Sequence, residues 1–525
     1  MNRYDNIPAE KFQFATRTDL AHDKKFDTKP VSYFQGAFRR FCKNKGAVVG
    51  GIVIAVLVLF AIIAPLFTPF QPAYYDMTYM YVTPKSNLFA NSNIDFWDGC
   101  RVKKTNQIGY LKDVALASET GREIIKNGEY TVSEDGSNYT YRYDTYYGVG
   151  FGKYKIISQE EYDDIQRYQN ETGRQVLYPV VKLADRPTLE KNKYDANIYY
   201  KVENPKASIL RPKLDKDGNI IPNYWKYEAG NESSLMATYN SSRIEGENGV
   251  EQNGKQYFYV YGRKVDGGIE IRAEYYEYYI YKHTQVLKDG IEEPLFLFGT
   301  TQTGKDIFAC LAYGARFSFI FATVVAAVNF IVGVIWGSIS GYFGGKIDLA
   351  MERFAEILGS VPTMIVITLL KYHIGSTSQA LVLFIAFFAT GWIGMAGRTR
   401  MQFYRFKNQE YVLAARTLGA SDSRIMFKHI FPNGLGTIVT SVALVIPSMI
   451  YSETSLSYLG IINLEAGNTT SVGTLIAAGQ QSIMANAAYV ALFPCMFLVL
   501  LMLSFNLFGN GLRDAFNPSL RGSED

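Results

Sequence analysis

The chain has 525 residues, 48% of them hydrophobic, and a mean hydropathy of −0.04, averages that would suit a soluble protein of about three domains. Those averages conceal a segregation. Residues 48–67 and much of 317–510 are almost free of charge, whereas 71–294 carry 29 of the 39 tyrosines and a net charge of about −4, leaving about +8 on the remainder. This pattern excludes a uniformly soluble chain, and the overall charge of +4 is no basis for a nucleic-acid partner because Lys and Arg form no basic soluble face. Of the four cysteines, Cys42, Cys100, Cys310 and Cys495, one lies in 71–294, so no disulfide framework holds that segment together. Neither cysteines nor histidines stand at metal-ligand spacing, and no metal site is expected.

Residues 1–45 are a polar tail ending in Arg39, Arg40, Lys43 and Lys45. The apolar run that follows (46–70) is long enough to cross a bilayer and begins too late for a cleaved leader. Residues 71–294 form an insert with strand and turn signals. Thr131–Ser133 and Tyr139–Tyr141 flank a turn, and Gln256–Tyr261 and Ile269–Ile280 are expected to pair around Val265-Asp266-Gly267-Gly268. Ser158, Glu161 and Gly173 bound one helix, and Asp215-Lys216-Asp217-Gly218 lacks the ligands of a calcium loop and is expected to turn. Tyr275, Tyr276, Tyr278 and Tyr279 are expected on a strand, as an aromatic recognition surface or as packing with an exposed rim.

Residues 295–511 form the membrane core, with further spans expected at 317–342, 354–372, 380–397, 435–459 and 487–509, and a tail at 512–525. Six spans put both termini on one side. Arg398, Arg400, Arg405, Lys407, Arg416, Arg424 and Lys428 mark the loop between spans 4 and 5 as cytoplasmic, while the Lys- and Arg-free 461–487 and the insert fall outside. Lys371 and His373 are expected to snorkel at the external boundary, and Arg398 and Arg400 to set topology. Gly299-Thr-Thr-Gln-Thr-Gly304-Lys305-Asp306 nearly matches a phosphate-binding loop, but Asp306 replaces the magnesium-binding hydroxyl, so a turn before an external helix is expected. Glu453, with Ser457 one turn on, is a carboxylate within span 5, either lining a translocation path or bonded inside the bundle.

The stretch from Glu410 through Leu413, Ala414, Ala415, Gly419, Ala420, Ser421, Asp422 and Arg424 to Phe431 and Pro432 reads as two short helices joined by glycine, with Ser421 capping the second and Pro432 ending it. It suits a groove in a cytosolic protein, or the lipid interface. The stretch resembles the coupling motif of bacterial ABC importer membrane subunits. Tyr313-Gly-Ala-Arg316, Gly341-Tyr-Phe-Gly-Gly-Lys-Ile-Asp348, Glu453-Thr-Ser-Leu-Ser-Tyr-Leu-Gly460 and Asn506-Leu-Phe-Gly-Asn-Gly-Leu-Arg-Asp514 extend the likeness to the C-type permease of oligopeptide and dipeptide importers. It covers 295–521, and 34–70 more thinly, but not the insert; Leu413 and Phe431 depart from the motif's glutamate and leucine.

The resemblance implies an α-helical membrane protein, a six-span ABC importer permease bundle of the bacterial cytoplasmic membrane; the strand, helix and charge signals add to it a large extracellular α+β insert between spans 1 and 2. It implies a non-catalytic subunit that binds no cofactor itself, with ATP and Mg on partner ATPases. The implied partners are a second permease subunit, two cytosolic ATP-binding subunits, an extracellular peptide-binding lipoprotein, peptides and the lipid bilayer, with no nucleic acid. Alternatives are an importer of nickel or another small solute, and a membrane-anchored receptor or scaffold using the Tyr-rich insert.

Overall fold

The computed structural model describes residues 33–89, 97–149, 153–180, parts of 201–236, 250–374, 378–465 and 469–516. A short helix α1 (Tyr33–Lys43) leads into α2 (Lys45–Phe67), the first span. Pro65 removes the N–H that would bond Ala61 O, and Arg316 fills the gap: its Nε donates to Ala61 O at 3.2 Å and its Nη2 to Ile62 O at 2.8 Å.

The insert contains strands β1 (Cys100–Thr105), β2 (Ile125–Val132) and β3 (Tyr139–Asp144) in antiparallel order β1-β3-β2, with α3 (Gln107–Thr120) beside them. The expected hairpin pairs Thr131 with Thr140 and Val132 with Tyr139. Next come β4 (Lys153–Ile157), α4 (Gln159–Thr172), whose Ser158 cap accepts from Glu161 N and whose Gly173 is left-handed, and β5 (Leu177–Tyr178). Asp217 N donates to Asp215 Oδ1 at 2.9 Å in the expected turn. The remaining strands are β6 (Lys226–Glu228), β7 (Leu235–Met236), β8 (Val250–Gln252), β9 (Lys255–Tyr259), β10 (Gly262–Val265) and β11 (Gly268–Ala273). They form sheets β6-β9-β8 and β4-β11-β10-β7, with β5 also on β11.

Two expectations for this region are corrected. The turn at 265–268 joins β10 to β11, whereas residues 255–259 belong to a different sheet. The tyrosine run is helical: α5 (Tyr275–Tyr281) is buried at every residue. The four tyrosines share one side of the helix, and with Glu277, Ile280 and Tyr281 buried as well it is covered all round, which makes it the centre of the insert core rather than a surface strand. Around it pack Tyr79, Tyr146, Tyr162, Ile165, Ile269 and Ile271. Tyr275 Oη donates to Asp76 at 2.6 Å and Tyr278 Oη to Glu161 at 2.7 Å, so these two hydroxyls are carried inward with partners.

Glu274 precedes this helix, buried beside Arg122 (3.2 Å from its Nε) and Glu277. Burial raises its carboxyl to about 8, against the opposing pull of Arg122 and with a further push from Glu277. The folded insert thus holds this proton more tightly than the unfolded chain, so its stabilising effect is complete below about pH 4.5 and fades as pH rises through about 8. Protease protection of the insert in the detergent-solubilised chain is expected to weaken from pH 5 to pH 9, by an amount on the order of 4 kcal/mol, and Glu274→Gln to flatten that dependence.

The two ends of the insert are tied together. Tyr81 N donates to Thr301 O at 3.2 Å, Thr300 N to Val82 O at 3.0 Å and Lys85 N to Phe296 O at 3.1 Å, forming a clasp of 76–85 against 296–306. The Trp97 ring stacks on Phe298 and Phe493, which stack on each other at 4.1 Å, so the insert also rests on span 6.

The second span, α6 (Ile307–Phe343), starts ten residues earlier than expected because Asp306 caps it, accepting from Phe308 N and Ala309 N. Instead of a straight third span, α7 (Gly345–Gly359) and α8 (Thr363–Ile374) meet at 67°, with Pro362 at the break. Spans 4 and 5 are α9 (Gln379–Gly391) with α10 (Ile393–Phe406), and the helix run Asp422–Tyr458; α15 (Val472–Ser482) precedes α16 (Tyr489–Phe516), the last span. Among the described residues, five helices are therefore long and apolar enough to cross a membrane, with the bent pair as a sixth span or a re-entrant segment.

Spans 2 and 4 touch backbone to backbone. A Cβ added at Gly333, Gly337 or Gly341 would lie 2.8, 2.2 or 2.8 Å from the carbonyl oxygens of Trp392, Ala396 and Arg400, respectively. Both series repeat every four residues, so one helix edge follows the other for two turns.

Candidate functional site

The Glu410–Pro432 stretch forms α11 (Glu410–Thr417), a turn at Gly419 with φ 80°, and α12 (Asp422–Arg424). Ser421 occupies the cap position without a side-chain cap bond. Pro432 does not end the second helix. α12 passes through a π-helical turn at Ile425–Ile430 into α13 (Phe431–Ala443), with Pro432 in the first turn of α13, where a missing N–H costs little. α14 (Val445–Tyr458) completes span 5.

One face of this element is buried. Val412, Ile425, Met426 and Ile430 pack with Tyr342 and Phe403, at the ends of spans 2 and 4. The other face, with Glu410, Leu413, Ala414, Ser421, Asp422 and Arg424, is exposed, while Ala415 and Ala420 are half-buried. Leu418 is 87% exposed, an apolar knob beside Gly419 that the motif reading passed over. Tyr342 Oη donates to Asp422 Oδ1 at 2.5 Å and accepts from Arg416 Nη2 at 3.4 Å.

Behind it, Arg400 does more than set topology. Its Nε and Nη2 donate to the two oxygens of Asp348 at 2.6 and 2.7 Å, Tyr404 Oη donates to the same carboxylate at 2.5 Å, and Ser340 Oγ also donates to it. This knot joins α6, α7 and α10 where the exposed helices are seated, and the spacing of these residues gave no sign of it. Asp348→Asn is expected to destabilise the detergent-solubilised chain by about 2 kcal/mol, read as a lower unfolding temperature, because Arg400 loses its two-oxygen partner and keeps only the more exposed Glu352 at 3.5 Å.

Glu453 is fully buried and accepts from Ser318 Oγ and Ser457 Oγ, both at 3.1 Å, which is the internal-bond arrangement of its two readings. Ser457 also lines a cavity of about 370 Å³ with Thr470 and Thr474. A different face of span 5 carries Thr437, Ser441, Ser448, Ser452 and Ser455, all exposed or half-buried. Their spacing keeps them within a narrow sector of the helix. The four serine hydroxyls donate to carbonyls three or four residues back, at 2.8–3.0 Å. Lys371 Nζ donates to Ile461 O at 2.6 Å, tying the bent pair to the end of span 5.

In the Gly299–Asp306 loop, both glycines have positive φ, and a Cβ on Gly304 would lie 1.8 Å from Asp76 O. Asp76 of the clasp lies directly against this loop, with its N–H donating to Gly304 O at 3.3 Å, and the expected turn is what the chain forms, with Gly304 N donating to Thr301 O at 3.0 Å.

A multi-span helical bundle carrying an exposed, glycine-jointed helix pair defines the class: the membrane component of a transport system. The description "Binding-protein-dependent transport system inner membrane component" fits residues 333–522, and "N-terminal TM domain of oligopeptide transport permease C" fits 32–84. The oligopeptide transport system permease protein OppC of Bacillus subtilis strain 168 is 42% identical over 224 residues, 43% of this chain and 72% of that protein. The dipeptide transport system permease protein DppC of the same strain is 38% identical over 224 residues (43% and 69%), and OppC of Escherichia coli K12 is 40% identical over 224 residues (43% and 72%). The chain belongs to this family of binding-protein-dependent permeases. An inward-facing MetNI methionine ABC transporter structure aligns with a TM-score of 0.32 and 18% identity, over 40% of this chain and 96% of that one, a likeness too remote to add to the assignment.

Proposed function

We propose that this chain is one of two permease subunits of an ATP-driven importer of oligopeptides or dipeptides. The supporting observation is the α11–α12 pair, whose inner face packs against Tyr342 of span 2 and Phe403 of span 4 while its outer face, with Leu418, Leu413 and Ala414, is open to a partner. In this reading that face docks on cytosolic ATP-binding subunits, which hold the ATP and Mg, and their closure shifts the bundle from inward-open to outward-open. Tails and docking loop are cytoplasmic, and residues 71–294 face outward, where a peptide-binding lipoprotein delivers cargo. The hydroxyl stripe on span 5 lines half of the translocation path, while Glu453 and Ser457, bonded to each other on the opposite side of the helix, hold span 5 to span 2 from behind.

The deciding experiment is the ATPase activity of the complex co-purified on this chain in lipid, with and without peptides and their binding protein. Stimulation by peptide supports the reading; stimulation only by another solute replaces the cargo, and failure to recover any ATPase removes the coupling role. The clasp makes the insert a fixed wall beside the entrance, and we assign it to docking the binding protein. Replacing 90–290 by a short linker spares the clasp, and is expected to raise the binding-protein concentration for half-maximal uptake by about tenfold or more, a loss of about 1.4 kcal/mol.

A further inference from the structure

Beyond the docking loop, the bundle contains a cavity of about 550 Å³ toward the end of the spans that carries α11 and α12. It lies between α10, span 5 and α16. Three arginines line it, Arg398 and Arg405 from α10 and Arg513 from α16, together with Thr437, Ser441 and Ser448 of the hydroxyl stripe. No lining residue is acidic, and among the described residues none of the three guanidinium groups has a carboxylate partner. Neighbouring arginines differ. Arg400 is held by Asp348, Arg416 by Tyr342, and Arg40 donates to Ala515 O at 2.9 and 3.1 Å. Charges needed only to orient the protein in the membrane require no convergence, yet these three come from helices more than a hundred residues apart and meet where the hydroxyl stripe reaches its inner end.

We propose that this cavity is a carboxylate subsite at the cytoplasmic end of the translocation path, receiving the C-terminal carboxylate of the transported peptide. The proposal rests on the peptide-importer reading above. Planar guanidinium forks match a carboxylate in geometry and charge, and the Thr437 hydroxyl, which also lines the cavity, offers a further donor at its edge. There is also a directional reason for placing them here. An inside-negative membrane potential opposes inward movement of a carboxylate, and unpaired positive charge at the inner end offsets that opposition where the peptide leaves. A lipid acyl chain has no use for the hydroxyl wall, which favours a hydrated, polar occupant.

The test uses proteoliposomes containing the intact complex with its binding protein, and one peptide as free acid or C-terminal amide. Each is supplied above its separately measured Kd for the binding protein, so that capture does not set the rate. The unmodified complex is expected to take up the acid on the order of tenfold faster than the amide. In R398Q/R405Q/R513Q the ratio is expected to fall to about one, whereas lysine at the same positions, which keeps the charge and therefore the orientation, retains a preference of about threefold or more. If the triple variant fails to assemble, R513Q alone is expected to give an intermediate ratio. Equal losses for acid and amide would assign the arginines to assembly, and an unchanged ratio would leave them without a role in transport; either overturns the subsite while peptide import stands. An unchanged ratio with loss of the dependence on phosphatidylglycerol would give the cavity to a lipid headgroup, with the same consequence. Absence of ATP-dependent uptake of either peptide by the unmodified complex overturns the importer reading and the subsite with it.

Discussion

Gly419→Pro is expected to leave the complex assembled and hydrolysing ATP while peptide uptake falls about a hundredfold. Gly419 has φ 80°, and proline is locked near −65°, so the chain must abandon the angle between α11 and α12. Changing that angle withdraws Val412 or the Ile425–Met426 pair from their shared pocket and pulls Asp422 from Tyr342. A backbone conflict of about 3 kcal/mol corresponds to about a hundredfold fewer correctly angled pairs. Gly419→Ala is the control. A Cβ at this position meets nothing within 4 Å, so alanine adds only left-handed strain of about 1 kcal/mol and should retain most uptake. Parallel assays of ATPase rate and peptide uptake in proteoliposomes check this, and normal uptake with proline would remove the helix pair from the coupling route.

The second large effect is expected at Gly337→Leu. A Cβ there would lie 2.2 Å from Ala396 O, and the obstacle is a carbonyl in the middle of a helix rather than a movable side chain. Spans 2 and 4 must separate, which also strains the Arg400–Asp348 knot one turn away. The expected cost is about 3 kcal/mol or more, read as loss of folded chain from the membrane fraction and a lower unfolding temperature in detergent. Ile335, 48% exposed on the same helix, provides the comparison: Ile335→Leu should behave as the unmodified chain. Wild-type stability of Gly337→Leu would mean that the two spans are not in backbone contact.

What was legible in the sequence follows from the range of the forces concerned. Span 1, the α4 caps, the turn at Asp215 and the Gly419 joint depend on neighbours a few residues away, and local patterns carry that information. The tyrosines of α5 were misread because aromatic residues favour strands in general, and only the surrounding core, from Tyr79 to Ile271, decides that the run is buried on every side. The exposed helix pair was readable as an element, but its fastening was not: Tyr342 and Asp422 are 80 residues apart, and Asp348 and Arg400 are 52 apart. The course of span 5 was misjudged at Pro432 for a local reason of another kind, since proline is as much at home in a first helical turn as beyond a last one. The carboxylate Glu453 attracted notice by its cost in a membrane, while the less conspicuous hydroxyls on the same span occupy its open face.

The packing of span 1 also sets an order of assembly. Gly50 of span 1 lies against Ser504 of span 6, where an added Cβ would be 2.6 Å from the Ser504 carbonyl oxygen, so the first span made finds its main neighbour in the last. Between them the ribosome must deliver residues 71–294, which at ~5–20 residues per second occupies roughly 10–45 s. Throughout that interval span 1 stands in lipid without its partner, and the hydrogen bonds between 76–85 and 296–306 cannot form until the insert has passed. Closure of the bundle is thereby a late event in synthesis, and the tyrosine-centred domain has time to fold before the membrane helices commit to one another.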